Sequence, residues 1–310
     1  MSEDSGRSRR RRKTLTYVRA FLKEWTTALA ALVLLLLFLA ALIGPEIYPH
    51  DPLDQNLRLR NAPMGVESLD PDLPRHFLGT DSLGRDVVAR LLQGARVSIG
   101  IGVAGVLVSG TIGVALGLTA GYRRGRVEDA IMRVADVQLA FPVLIVALFV
   151  LFVIGPSILN IVLVMAIARW PSYARIARSL ALSVGSEQYI EAAKALGSKH
   201  RRILWEHVLP NTRSTLVIVA TLDLAKLVLY ESTLSFLGFG VQVPNPSWGL
   251  MIAEGRQYML ETQLLVVIPG LCIFALALSA NLLARWGQDM ADPRRRAQWI
   301  RAAMKEDERP

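Results

Sequence analysis

Three ionisable residues, Asp223, Lys226 and Glu231, lie inside an apolar run from Thr215 to Leu237. A charge at the centre of a bilayer costs about 2.5–3.5 kcal/mol on insertion scales, so none of the three belongs against lipid. Asp223 and Lys226 stand at i and i+3 and can pair on one helix face. Two roles fit such a set equally: lining a water-filled translocation path, or neutralising one another inside a helix bundle. Other chemistry is scarce. No G-x-x-x-x-G-K-[ST] stretch is present to cradle phosphates, so the chain is not expected to hydrolyse ATP. No Ser-His-Asp, Cys-His or paired-carboxylate motif supports catalysis, and the chain does not read as an enzyme. Cys272, the single cysteine, sits in an apolar block without a partner for an intrachain disulfide, and no Cys/His spacing marks a metal site. No metal or other cofactor is expected on this chain.

A second set of residues suggests recognition, not catalysis. Glu187 to Leu196 has high helix propensity, and Gly197 is a natural stop. A second helical stretch, 198–209, is expected to end before Pro210. Ala192, Ala193 and Gly197 leave a smooth face on a short projecting helix, which suits insertion into a groove on a partner protein. The whole polar stretch 169–213 leaves little room for a DNA-binding domain.

These residues must be positioned by membrane helices. The chain is 52% hydrophobic yet carries a net charge of +9, and the apolar residues come in long blocks with charges pushed between them. The blocks are Ala28–Ile43, Val97–Tyr122, Val134–Ile154, Ile158–Ala168, Thr215–Leu237 and Leu264–Ala284. The first reads as an uncleaved spanning helix and not a signal peptide. The fourth is too short alone, since about 20 residues are needed to cross. Snorkelling of Arg169 and interfacial placement of Trp170 and Tyr173 would extend it. Loop charge supports counting it: 8 Lys/Arg in 1–26, 4 in 122–133, 8 in 169–213 and 7 in 285–310, against 5 in 45–93 and 1 in 238–263. The basic loops share one side only if all six blocks cross, which places both termini in the cytoplasm. The run Arg9–Lys13 then serves as a topology determinant with affinity for anionic lipid, and no nucleic-acid partner is expected. The expected fold is all-α, a polytopic membrane helix bundle of about six transmembrane helices. Its parts are a basic cytoplasmic tail (1–26), a first span with an external segment (27–93), a five-helix core (94–285) and a cytoplasmic tail (286–310).

Within the second block, Gly105, Ser109, Gly113, Gly117 and Gly121 place a small residue at every fourth position. On a helix these form one slowly drifting stripe where another backbone can approach closely. In the external segment, Asp81 is expected to cap a short surface helix from Ser82 to about Gln93, with Asp86 and Arg90 paired at i, i+4. The Gly/Pro-rich segment 238–249 reads as an outer turn or re-entrant loop.

Glu191-Ala192-Ala193, three residues, Gly197, nine residues and then Leu209-Pro210 resembles the EAA loop of ABC importer permeases. His207 replaces the Ile usual in that motif, and His-Val-Leu-Pro-Asn resembles the dipeptide/oligopeptide branch. Leu78–Asp86 and Ser235–Gly240 with Pro246–Gly249 resemble the same branch, and the likeness covers about 30–290. The resemblance implies a type-1 importer permease fold in which Glu191, Ala192, Ala193, Gly197, Leu209 and Pro210 belong to a coupling element docked on an ATP-binding subunit. It implies a second homologous permease subunit, two ATP-binding subunits that hold ATP and Mg, and an external solute-binding protein. The implied activity is peptide import by alternating access. Nickel or another small solute is an alternative cargo, and an ion-coupled secondary transporter using Asp223 and Glu231 is the rival mechanism.

Overall fold

The computed structural model describes residues 24–199 and 202–292, so the Arg9–Lys13 run and the tail beyond 292 lie outside the described residues. The described helices are α1 (Trp25–Ile47), α2 (Val87–Arg123), α3 (Arg126–Leu139), α4 (Val143–Ile154), α5 (Ile158–Gly185), α6 (Gln188–Ala195), α7 (Leu209–Phe236), α8 (Trp248–Gly255) and α9 (Leu264–Ala291). No strand occurs among the described residues, only the isolated bridges Val66–His76 and Thr80–Asp86. By length and composition alone α1, α2 and α9 can cross a membrane, and α3 with α4, bent by 86°, form a fourth span if taken together. Helices α5 and α7 have 28 residues each. That gives about 42 Å, ample for a crossing, and it is their charges that hold their hydropathy down. Helix α1 shows the lipid-facing pattern most plainly, with Leu29, Leu32, Leu36 and Leu39 exposed along one side.

The tightest helix pair is α2 with α5, and the small-residue stripe makes it. A Cβ added at Gly113 would lie 2.5 Å from the Trp170 carbonyl oxygen, and one at Gly121 2.6 Å from that of Arg178. At Gly117 it would collide with the Ala174 carbonyl. Gly105 faces α7 instead, where its Cβ would meet Leu227 at 3.0 Å. A residue repeated every fourth position drifts by about 40° per step, so one stripe serves two neighbours. Between them Ser109 is fully buried and donates to the Gly105 carbonyl at 2.6 Å.

Several expectations are corrected, the Asp86–Arg90 pair among them, since Arg90 pairs with Asp81 and Glu254 instead. The 82–93 helix does not lie apart on the membrane surface; it is the beginning of α2, which runs unbroken to Arg123. Its cap is Asp86, which accepts from the Ala89 N–H at 2.7 Å, while Asp81 accepts from the side chains of Arg85 and Arg90. The third block is not one straight span, because Pro142 ends α3 and starts α4 at a sharp bend. The fourth block does not stop at Arg169: α5 continues through Pro171 to Gly185. Arg169 turns inward instead of snorkelling, as described below.

Helix α5 survives its proline because a neighbour supplies the missing donor. Pro171 has no N–H for the Ile167 carbonyl, and the Gln138 side-chain amide on α3 donates to that oxygen. The Trp170 indole N–H fixes the same amide from the other side at 2.9 Å. Helix α1 repeats the device. Pro45 frees the Ala41 carbonyl, which accepts from Arg96 Nε at 3.1 Å, and Arg96 also reaches the Leu42 carbonyl at 2.7 Å and Glu46 at 2.9 Å. In hydrocarbon such repairs are obligatory, since no water satisfies the orphan oxygen.

Candidate coupling site and membrane-buried charges

Helix α6 is held by one anchor. Ile190 is fully buried in a cluster with Leu118, Ala177, Ala181, Ile203, Val208 and Leu216. Its chain neighbours face outward: Glu191, Ala192 and Gly197 are exposed and Ala193 is half-buried. The helix ends as the sequence predicts. Gly197 takes φ +81°, and Ser198 N–H reaches back to the Ala193 carbonyl at 3.0 Å, the six-to-one closure of a helix C-terminus. Any side chain at 197 would meet the left-handed backbone penalty.

The second stretch differs from expectation. It forms a π-helical turn over Ile203–Val208 and passes without a break into α7. Pro210 therefore does not follow a helix end; it occupies the first turn of α7, where its missing N–H is least costly. The wider turn just before it follows from the same residue. Pro210 cannot bond to the Glu206 carbonyl and crowds it, so the chain opens to a five-residue step and Leu209 N–H bonds to the Leu204 carbonyl. Leu209 is half-buried and Pro210 exposed. Asn211 Nδ2 ties the segment together, donating to the His207 carbonyl at 2.7 Å and the Tyr189 hydroxyl at 3.1 Å.

Among its exposed charges this segment presents large apolar side chains. Leu196 is 87% and Trp205 68% exposed, and Tyr189 is exposed too, its ring edge-on to His207 at 6.2 Å. Large apolar side chains turned outward from a short, seated helix are the kind of feature that protein–protein contacts use. The EAA spacing located this segment, but Tyr189, Leu196 and Trp205 were not singled out.

Within the bundle the three ionisable residues separate. Asp223 is buried and paired not with Lys226 first but with Arg169 of α5, at 2.6 Å from Nη2 and 3.3 Å from Nε. Lys226 Nζ lies farther off, 3.7 Å from Asp223, with its side chain 52% exposed. Glu231 is fully buried and accepts from Ser98 of α2 at 2.9 Å and from Ser235 at 2.7 Å. Those serines are fixed in turn, because Ser98 Oγ accepts from Trp248 N–H and Ser235 Oγ from Val241 N–H. The Glu231 carboxylate thus joins α2, α7 and the 238–249 turn.

Two family descriptions match the chain. "Binding-protein-dependent transport system inner membrane component" covers residues 113–297, and "N-terminal TM domain of oligopeptide transport permease C" covers 16–63. The nickel transport system permease protein NikC of Escherichia coli K12 is 36% identical over 87% of this chain and 95% of its own. The di/tripeptide transport system permease protein DppC of Pseudomonas aeruginosa UCBPP-PA14 is 36% identical over 85% of this chain and 86% of its own. A solved chain of the MetNI methionine ABC transporter, inward-facing, is 18% identical and covers 64% of this chain and 96% of that one, with a TM-score of 0.47. The first family match takes in the later part of the α2 stripe from Gly113, the whole coupling segment and the charged spans, and with it the chain belongs to the binding-protein-dependent transport system inner membrane components, as an ABC importer permease subunit of the branch that includes the peptide and nickel systems.

Proposed function

We propose that the chain forms half of the translocation pathway of an ATP-driven importer for small peptides, with α6 as the element that receives movement from an ATP-binding subunit. The observation that carries this reading is the geometry of α6: Ile190 seats it and Gly197 closes it, while Glu191, Leu196 and Trp205 are turned outward. Its partners are a second homologous permease subunit, two ATP-binding subunits holding ATP and Mg, and an external solute-binding protein. Both termini lie in the cytoplasm, where the positive-inside bias puts them. The path-lining role falls on Lys226. Asp223 and Glu231 act as ties between helices, since one is neutralised by Arg169 and the other is enclosed by serines. Two carboxylates so engaged do not favour an ion-coupled carrier. The peptide reading draws on the DppC likeness, and the equal identity of NikC makes nickel the competing cargo.

The test is reconstitution of the complete transporter with its binding protein in proteoliposomes. Labelled di- and tripeptides are expected to accumulate only with ATP inside, and Glu191→Arg is expected to abolish uptake while the chain still inserts and purifies. Uptake driven by a proton gradient without ATPase subunits, or normal uptake by Glu191→Arg, would overturn the coupling role. Accumulation of radioactive nickel without peptide uptake would replace the cargo.

A further inference from the structure

Outside the membrane core the fold gathers three residues that no sequence spacing announces. His50 follows α1, His76 ends the short hairpin that begins at Val66, and Asp86 caps α2. All three are buried, and each offers a ligand atom within 4.8 Å of the other two. His76 Nδ1 lies 2.8 Å from Asp86 Oδ2, and the two imidazole rings face each other with centroids 4.5 Å apart.

Capping alone does not account for this arrangement. The cap uses Asp86 Oδ1, which takes the Ala89 N–H, leaving Oδ2 for His76. His50 has no part in either contact. Its Nε2 lies 2.9 Å from the Pro74 carbonyl. A carbonyl only accepts, so Nε2 carries the proton and Nδ1 keeps the lone pair that a metal requires. Tyr48 also donates to Asp86 Oδ2, at 3.4 Å.

We propose that His50, His76 and Asp86 form a binding site for one borderline divalent cation, with Zn²⁺ the best match to two imidazoles and a carboxylate. The ion takes the position between His76 Nδ1 and Asp86 Oδ2, and the ring passes to its Nε2–H tautomer. No proton leaves if the imidazole is neutral, and one leaves if it is charged. Ligand atoms around a tetrahedral zinc sit about 3.3 Å apart. A separation of up to 4.8 Å therefore closes with an inward shift of no more than about 1.5 Å. Water fills the fourth position. Entry is short, because Pro49, Pro74 and Arg75 around the cluster are exposed. The bound ion would fasten the exit of α1, the 66–76 hairpin and the start of α2 to one point.

The test uses the full chain, purified in detergent on a histidine-free tag, stripped with chelator and titrated with Zn²⁺ against a chromophoric chelator. One equivalent per chain is expected, with affinity at least tenfold weaker in His50→Ala and in His76→Ala and unchanged in Cys272→Ser and His207→Ala. Zinc should raise the thermal midpoint of the wild type and not that of His50→Ala. If His76→Ala fails to fold, His50→Ala decides, because His50 makes one peripheral hydrogen bond. Equal zinc affinity in wild type and His50→Ala, no uptake at micromolar zinc, or loss of uptake in His207→Ala instead would each overturn the assignment.

Discussion

The two ends of the bundle are built on opposite plans. At the end holding the start of α2, charges are buried and paired. The Asp81 carboxylate accepts from Leu83 N–H, Arg85 N–H, Arg85 Nε and Arg90 Nη1, and Glu254 of the α8 helix takes the far side of both arginines at 3.2 and 2.7 Å. At the other end α6 is seated by one buried side chain, Ile190, with the Asn211–Tyr189 hydrogen bond beside it, and its neighbours project into solvent. A paired buried network resists rearrangement, because separating its members leaves uncompensated charge. A short helix with few ties has less to break when it shifts. Under the proposed coupling role, rigidity and grip then fall to different ends of one helical scaffold.

Four substitutions would break or sharpen that comparison. Asp81→Ala leaves two buried guanidiniums with Glu254 as their sole acid, and a loss of about 3–5 kcal/mol is expected; thermal unfolding in detergent measures it. A near-neutral result would mean that the network at the start of α2 is not a fixed point. Ile190→Ala should cost about 2–5 kcal/mol, confined to the α6 end. Hydrogen exchange should rise over 187–208 and stay unchanged in α2, whereas a global loss would show α6 to be part of the core. Glu231→Gln keeps the shape but gives up acceptor capacity for its serine donors Ser98, Ser232 and Ser235, at about 1–2 kcal/mol. Its thermal midpoint should fall modestly, and no fall would remove Glu231 from the set of ties. Leu196→Ser should change stability by less than about 0.5 kcal/mol while weakening retention of the ATP-binding subunit during co-purification. Full retention would discharge Leu196 from the docking face.

The local features were legible in the sequence and the long-range ones were not. Helix α6 and its stop at Gly197 depend on propensity and one backbone conformation, both encoded within ten residues. The stripe from Gly105 to Gly121 depends on helical repeat alone, so its close packing followed, though its division between α5 and α7 did not. Helix α5 was misread because its polar residues look like a loop until their partners are known. Arg169 meets Asp223, Arg175 meets Asp136 at 2.6 Å, and Arg178 meets Glu128. Each acid lies more than 35 positions away in the chain, beyond any window of hydropathy or periodicity. The same distance hides Gln138 from Pro171 and Arg96 from Pro45. His50, His76 and Asp86 are separated by 26 and 10 positions, a spacing that belongs to no ligand motif.

The bond between Arg169 and Asp223 bears on how the polypeptide is made. Each residue alone burdens its own segment with an unfavourable partition into lipid, and together they cancel. Because Asp223 follows Arg169 by 54 positions, the earlier helix gains its counter-charge only when the later one packs against it. Loss of either residue is then a defect of both helices, since it leaves a lone charge that must be hydrated or neutralised.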